Sequence, residues 1–86
     1  LDAREGLRGA TLAALFAWSE AEFLRRTEGS PIRRIGHERW LRNIAVSLGN
    51  ALRAGAGEEV RQALQTRAEH PSGLVREHVA WALAQG

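Results

Sequence analysis

The sequence predicts an all-α domain. Alanine, leucine, arginine and glutamate, which are good helix formers, dominate the 86 residues. Tyrosine is absent and runs of β-branched residues are few, so strand signals are almost missing. Apolar residues also recur at helical spacing in several segments, most clearly between residues 37 and 52. We therefore expect one small domain of at least four helices and no sheet.

The N-terminal part predicts two short helices. Between residues 7 and 18 the apolar positions follow an imperfect helical spacing. Ser19 is suited to cap a second helix, and Glu22 three residues later completes the pattern of a capping box. This helix should end before Gly29, because Ser30-Pro31 predicts an extended or turn-like passage.

The strongest helical pattern runs from about His37 to Leu52. Its apolar residues share one face, namely Trp40, Leu41, Ile44, Ala45, Leu48 and Leu52. At about 100° per residue, the opposite face carries Arg39, Arg42, Val46 and Arg53. Gly49 lies inside this helix, where glycine costs up to about 1 kcal/mol relative to alanine. We expect a neighbouring helix to pack closely against it.

The C-terminal part predicts an antiparallel pair of helices. A helix over about 58–69 should bury Val60, Leu64 and Ala68, and a second helix follows over about 74–85. The helix at 37–52 can stack against this pair, which is the organisation of a helical-repeat module. The expected shared core is Leu41, Ile44, Leu48, Val60, Leu64, Val75, Val79 and Leu83.

Positive charge is concentrated in the middle of the chain. Residues 1–29 and 54–86 each sum to −1, whereas residues 30–53 sum to +4, and every basic residue is arginine. Guanidinium groups on one surface can neutralise phosphates, so the candidate nucleic-acid-binding residues are Arg33, Arg34, Arg39 and Arg42. Arg33 and Arg34 are expected in the loop before the helix. The alternative is an ordinary solvated helix face, with Arg42 bonded to Glu38 one turn away.

Other polar and aromatic residues admit both structural and functional interpretations. Asn43 can contact RNA, or it can tie down the backbone between helices. Trp40 and Trp81 can stack on exposed bases, but we expect them in the core. For His78 we expect a hydrogen-bonded core position. For Arg76 we expect bonds to carbonyls or to an acidic group of an adjoining helical repeat.

No pattern in the sequence predicts catalysis. Without cysteine the chain can hold neither a disulfide nor a thiolate-ligated metal. His37, His70 and His78 are too far apart in sequence to indicate a metal site, and no serine forms a nucleophile pattern with a histidine. No apolar run is long enough to span a bilayer, and no signal peptide pattern is present. We expect a cytoplasmic setting, no membrane partner and no enzymatic activity from this chain.

Two segments resemble a known family when they are taken together. GSPIRRIGHERWLRNIAVSLGNAL at 29–52 and LVREHVAWAL at 74–83 are similar to the C-terminal region of the epoxyqueuosine reductases. AWSEAEFLRRTEGSP at 17–31 is similar to the lead-in of that region, so the resemblance covers about residues 12–84. LVREHVAWAL also resembles the second helix of HEAT-like repeats. The resemblance implies a short HEAT-like α-superhelix over 30–86, after lead-in helices over 1–29.

The resemblance also implies a function that the chain cannot perform by itself. The family reduces an epoxide on the modified wobble base of certain tRNAs, using cobalamin and two [4Fe–4S] clusters. The parts that hold these cofactors are missing from this sequence, so we expect no cofactor here. Because the chain begins at Leu1 within a helix-like pattern, we expect a fragment of a larger protein.

The partners that the resemblance implies are the anticodon stem-loop of tRNA and the catalytic domain of the same chain. By analogy with the family, the arginine set and Asn43 would belong to the tRNA-binding surface. The alternative is a HEAT-like protein-interaction or intramolecular docking domain that does not bind nucleic acid.

Overall fold

Five α-helices and one 3-10 helix make up the computed structural model over the residues it describes, which are 3–86 for the backbone and 9–86 for the side chains. The elements are α1 (Ala3–Phe16), α2 (Glu20–Arg26), the 3-10 helix (Pro31–Ile35), α3 (Gly36–Arg53), α4 (Glu58–Gln65) and α5 (Gly73–Leu83). The described part contains no strand, so the predicted all-α class is confirmed. None of the described helices is long and apolar enough to cross a membrane.

The connection between α2 and α3 is turn-like, one of the two predicted forms, but it includes a 3-10 helix that the sequence pattern did not predict. Ser19 caps α2 as expected, since its hydroxyl accepts the Glu22 N–H at 3.1 Å. The extended passage, however, is limited to Ser30, and Pro31 begins the 3-10 helix. Proline suits this first position because its φ is already fixed and it has no N–H to satisfy. Gly36, at φ 81°, then redirects the chain into α3.

The helix predicted over 58–69 is shorter than expected, because α4 ends at Gln65. The Thr66 hydroxyl donates to the Ala63 carbonyl at 2.6 Å, a local bond of the kind that competes with helix continuation. Residues 66–69 form turns, with the Arg67 N–H bonded to Leu64 and the Ala68 N–H bonded to Gln65. Ala68 is therefore exposed rather than buried.

The core surrounds α3, which contacts each of the other helices. Seven of the eight expected core residues are buried, and Leu83 is partly buried against them. The remaining buried members of this cluster are Phe16, Ala45, Leu52 and Ala82. Trp40 packs against the cluster, whereas Trp81 is 42% exposed, so the prediction of a core position for Trp81 is wrong. Trp81 is about 100° around α5 from its buried neighbour Ala82, which places it at the edge of the apolar face.

α3 and α5 run in the same direction in close contact. Near their first residues the Ser72 hydroxyl, which caps α5, donates to the Glu38 carboxylate at 2.5 Å. Further along, Gly49 faces α5 so closely that a Cβ there would lie 2.7 Å from Trp81 Cζ3 and 2.8 Å from Ala82 Cα. The expected close packing at Gly49 is confirmed.

Side chains from two other elements hold the end of α1. Arg67 donates from Nε to the Phe16 carbonyl at 2.8 Å and from an Nη to the Trp18 carbonyl at 3.0 Å. His37 Nε2 also lies 2.8 Å from the Trp18 oxygen, and since a carbonyl only accepts, this nitrogen carries the proton. Carbonyls that α1 leaves without helical partners are thereby satisfied. Burial lowers the pKa of Arg67, because it removes part of the hydration of the charge.

Aromatic rings fill the space next to these bonds. Trp18 stacks on Trp40 with ring centroids 5.6 Å apart, and the Trp40 indole N–H donates to the Leu15 carbonyl at 3.4 Å. Phe23 of α2 lies 5.2 Å from the Trp40 ring and 5.8 Å from the His37 ring. The junction between α1 and α2 is thus packed against the first turns of α3.

His70 sits in the turn that leads to α5. Its Nδ1 accepts the Ser72 N–H at 3.0 Å, so this nitrogen is unprotonated. Desolvation lowers the pKa of His70, and the nearby charges of Arg67, His37 and Arg76 lower it further, while Glu38 acts in the opposite direction. Protonation of Nδ1 would also break the bond to Ser72.

Substitution of Gly49 by alanine should destabilise the fold although alanine is the better helix former. The new Cβ overlaps the α5 backbone at Ala82, and overpacking typically costs about 1–3 kcal/mol. We expect a free energy of unfolding at least about 1 kcal/mol lower in urea titrations. Ser47→Ala, at an exposed position of the same helix, is the control and should change it by less than about 0.5 kcal/mol. A G49A chain as stable as the original would contradict the described contact.

Substitution of Arg67 by methionine should also destabilise the fold. Methionine keeps the apolar stem but leaves the partly buried Phe16 carbonyl without its donor, which costs about 1–3 kcal/mol. Arg53→Met, at an exposed site without a recorded partner in the described residues, is the matched control. Equal urea midpoints for the two variants would show that the Arg67 bonds contribute nothing.

The environment of His70 should make stability depend on pH. Its pKa is lower in the folded state than in the unfolded chain, so the unfolded chain binds the proton first as the pH falls. The free energy of unfolding should therefore fall as the pH drops below the ordinary histidine value of about 6.5. His70→Asn is the control, because its side-chain oxygen can accept the Ser72 N–H without titrating. An unchanged pH dependence in H70N would rule out His70 as the source.

Candidate nucleic-acid interface

Five arginines between residues 33 and 53 lie at the surface. Arg33, Arg34, Arg39 and Arg53 are exposed and Arg42 is half-buried. Among the residues with described side chains, the ion pairs are those that Glu22 forms with Arg25 and Arg26. None of the five arginines thus pairs with a carboxylate in the described part of the chain, and their charge is available to an external anion.

The two arginines that precede α3 line an open groove. Arg33 and Arg34 form one side of a depression of about 540 Å³ that Gly29, Ser30 and Pro31 complete. The prediction that these arginines lie in a loop is wrong, because both belong to the 3-10 helix. Their backbone is held by the Ser30 hydroxyl, which accepts the Ile32 N–H at 3.2 Å. Two neighbouring guanidiniums are thus presented from a defined turn.

Arg42 is oriented by its neighbour Asn43. The Arg42 Nε donates to Asn43 Oδ1 at 2.8 Å, and the terminal nitrogens have no recorded partner among the described residues. The alternative bond between Arg42 and Glu38 does not form, and one Glu38 oxygen accepts the Ser72 hydroxyl. Asn43 bonds to a side chain and not to the backbone between helices. It positions a guanidinium whose outer nitrogens can form two parallel bonds with a phosphate.

The structure brings three of the predicted site residues onto one side of α3. Arg39, Arg42 and Asn43 are spaced three and four residues apart, so they are neighbours on the helix surface. Arg33 and Arg34 lie in the 3-10 helix that leads into the same helix. The predicted residues therefore fall into two groups, one before α3 and one along its outer side.

The side of α3 that carries Arg42 borders α5. Gly49, which contacts Trp81, is two helical turns after Arg42 and one turn before Arg53, and these three positions lie within about 40° around the helix. Trp81 is thus a neighbour of the arginine-bearing side of α3. Sequence reasoning missed this arrangement, because Trp81 was assigned to the core.

Two further polar residues, Arg76 and His78, form hydrogen bonds to backbone carbonyls. Arg76 donates to the carbonyls of His70 and Pro71 at 2.7 and 2.9 Å, so it bonds to carbonyls as expected, but these lie in the turn before its own helix and not in an adjoining repeat. His78 Nδ1 lies 2.8 Å from the Leu74 carbonyl and therefore donates to it. His78 is hydrogen-bonded as expected but only half-buried.

The chemistry of a metal or cluster site is not supplied by the described residues. No group of three histidine, aspartate or glutamate side chains in the described part is placed to hold a metal. The sequence contains no cysteine, so the thiolates that hold an iron–sulfur cluster would have to come from elsewhere. The arrangement can bind and orient an anionic partner.

Several curated relatives of high similarity are described as epoxyqueuosine reductases. The chain is 73% identical to that of Alicycliphilus denitrificans over 99% of this chain and 25% of the relative. It is 69% identical to that of Xanthomonas campestris over 96% of this chain and 22% of the relative. The Escherichia coli protein is 58% identical over 95% of this chain and 21% of its own length.

Other comparisons give no match. No protein-family model matches the chain, and no solved structure matches it at a significant level.

The chain spans about a quarter of the length of the curated relatives. The resemblance inferred from the residues at 29–52 and 74–83 is thereby confirmed: this chain is homologous to a segment of the epoxyqueuosine reductases.

Proposed function

We propose that this chain is a tRNA-contacting, HEAT-like C-terminal module of an epoxyqueuosine reductase. The observation that carries the proposal is the set of five surface arginines without a carboxylate partner in the described residues. The relatives are named for a reaction on a base of tRNA, and tRNA is a polyanion that such a surface would attract. Arg33, Arg34, Arg39, Arg42 and Asn43 are the proposed contact residues.

The proposed contacts are mainly to the RNA backbone. Guanidiniums bind phosphate through paired hydrogen bonds and keep their charge at every physiological pH. Phosphate contacts position a protein on nucleic acid but do not read its sequence. The module would therefore orient the anticodon stem-loop, while selection of the modified base would fall to the catalytic part of the longer protein.

The cofactors of the reaction would belong to that catalytic part. Cobalamin and two [4Fe–4S] clusters are expected for the family, and clusters of this type are held by cysteine thiolates. This chain has no cysteine, so it does not fit a role as a cluster ligand. We propose that the module itself has no reductase activity and works within a cytoplasmic enzyme.

A docking surface for the catalytic domain is the second candidate function. Leu24 on α2 and Ile32 and Ile35 in the 3-10 helix are large apolar residues that remain 39–45% exposed. They lie on consecutive elements and are the kind of residues that an intramolecular contact would cover. This candidate is compatible with RNA binding, but it would replace RNA binding if the arginines served only as a solvated surface.

Replacement of Arg33, Arg34, Arg39 and Arg42 by glutamine in the full-length protein should weaken tRNA binding. Loss of phosphate contacts should also reduce the dependence of log affinity on log salt, by up to about 0.7–0.9 per contact. The measurement is a binding titration against tRNA at several salt concentrations, with helix content followed by circular dichroism.

The matched control removes positive charge from other helices. Arg25 lies on α2 and Arg61 on α4, so R25Q/R61Q should have a smaller effect per charge on affinity and on salt slope. A quadruple variant with unaltered affinity and slope would exclude the arginine surface from RNA binding. The docking function would then be the better explanation of this module.

A further inference from the structure

Trp81 differs from the other two tryptophans in what it contacts. Trp18 and Trp40 are half-buried and stack on each other, and the Trp40 indole N–H donates to a carbonyl. Trp81 is 42% exposed, and its indole N–H has no recorded partner among the described residues. A large aromatic side chain is thus partly exposed, and no described residue accepts its indole N–H.

Trp81 nevertheless contacts α3 through one edge of its ring. One edge of its ring, at Cζ3, approaches the backbone of Gly49 in α3, and any side chain at position 49 would overlap this edge. The absence of a Cβ at Gly49 therefore leaves the space that this edge of the indole ring fills. A ring held in this way loses little conformational entropy when a second flat group stacks on it.

The surroundings of Trp81 favour an anionic partner. On α3, Arg53 follows Gly49 by one turn and Arg42 precedes it by two turns on the same side, and neither forms an ion pair among the described residues. On α5, Glu77 precedes Trp81 by one turn and supplies the opposite charge at one edge. By helical spacing, two arginines and one carboxylate thus lie on the sides of α3 and α5 that carry Gly49 and Trp81.

We propose that Trp81 stacks on an unpaired nucleobase of the bound RNA, while Arg42 and Arg53 contact the neighbouring phosphates. This inference rests on the proposed RNA-binding function and adds the kind of RNA that the surface accepts. Bases inside a duplex are stacked on one another, whereas loop nucleotides can turn out and stack on aromatic side chains. The interface would therefore extend from the arginine surface onto the loop of a stem-loop.

The test uses two substitutions that differ in ring character. Trp81→Phe keeps an aromatic face and Trp81→Leu keeps only an apolar side chain over Gly49, so the pair separates stacking from packing. Full-length variants are titrated with a stem-loop RNA and with a blunt duplex of the same stem sequence. W81L should bind the stem-loop roughly 5- to 150-fold more weakly, the range expected for loss of one stacking aromatic, and W81F should retain most of the affinity. Duplex affinity and the salt slope should stay unchanged, because Trp81 carries no charge.

The outcomes distinguish this inference from the proposed function. If the quadruple arginine variant loses affinity for both RNAs while W81L binds the stem-loop normally, RNA binding stands and base stacking is overturned. If W81L and W81F lower the affinity for both RNAs equally, the inference is also overturned. It is likewise overturned if both variants lower the melting temperature of the full-length protein without changing RNA affinity, because Trp81 then packs against another part of the protein. If neither the arginine nor the Trp81 variants change binding, the proposed function fails as well.

Discussion

The architecture depends on the way Arg67 closes the end of α1. The end of a helix leaves carbonyls without hydrogen-bond partners. Here the guanidinium of Arg67, in a turn about fifty residues later in the chain, donates hydrogen bonds to the Phe16 and Trp18 carbonyls. His37 joins it from the first turn of α3. A single junction therefore fixes α1, the start of α2, α3 and the turn after α4 relative to one another. Without these donors, bringing the elements together would bury unsatisfied polar groups.

The second constraint is the parallel approach of α3 and α5. Ser72 joins their first turns through Glu38, and Gly49 allows backbone-to-backbone contact near their ends. The two helices are therefore held next to each other at both positions, with the edge of the Trp81 ring beside Gly49. Binding groups on two rigid helices are positioned more accurately than groups on loops.

The periodic pattern of apolar residues was sufficient to predict the helices and most of the core. Leu41, Ile44 and Leu48 are buried because spacing alone puts them on the inner side of α3. The same reasoning failed for Trp81. Helical periodicity tells which side of a helix a residue is on, but not how much of that residue a neighbouring helix covers. It also gave no sign of Arg67, whose partners are backbone atoms distant in sequence. For the candidate site, the sequence predicted that these arginines lie outside the core, but the Asn43 bond depends on rotamers that no periodicity encodes.

The hydrogen bond between Ser72 and Glu38 has a consequence for the charge of the surface. Glu38 is the one acidic residue between positions 30 and 53, and it stands four residues before Arg42, the spacing at which opposite charges pair along a helix. In the folded domain one oxygen of this carboxylate accepts the Ser72 hydroxyl, and Arg42 bonds to Asn43 rather than to an acidic group. The one negative charge of this segment therefore takes part in the contact between α3 and α5, while the terminal nitrogens of Arg42 keep no recorded partner among the described residues.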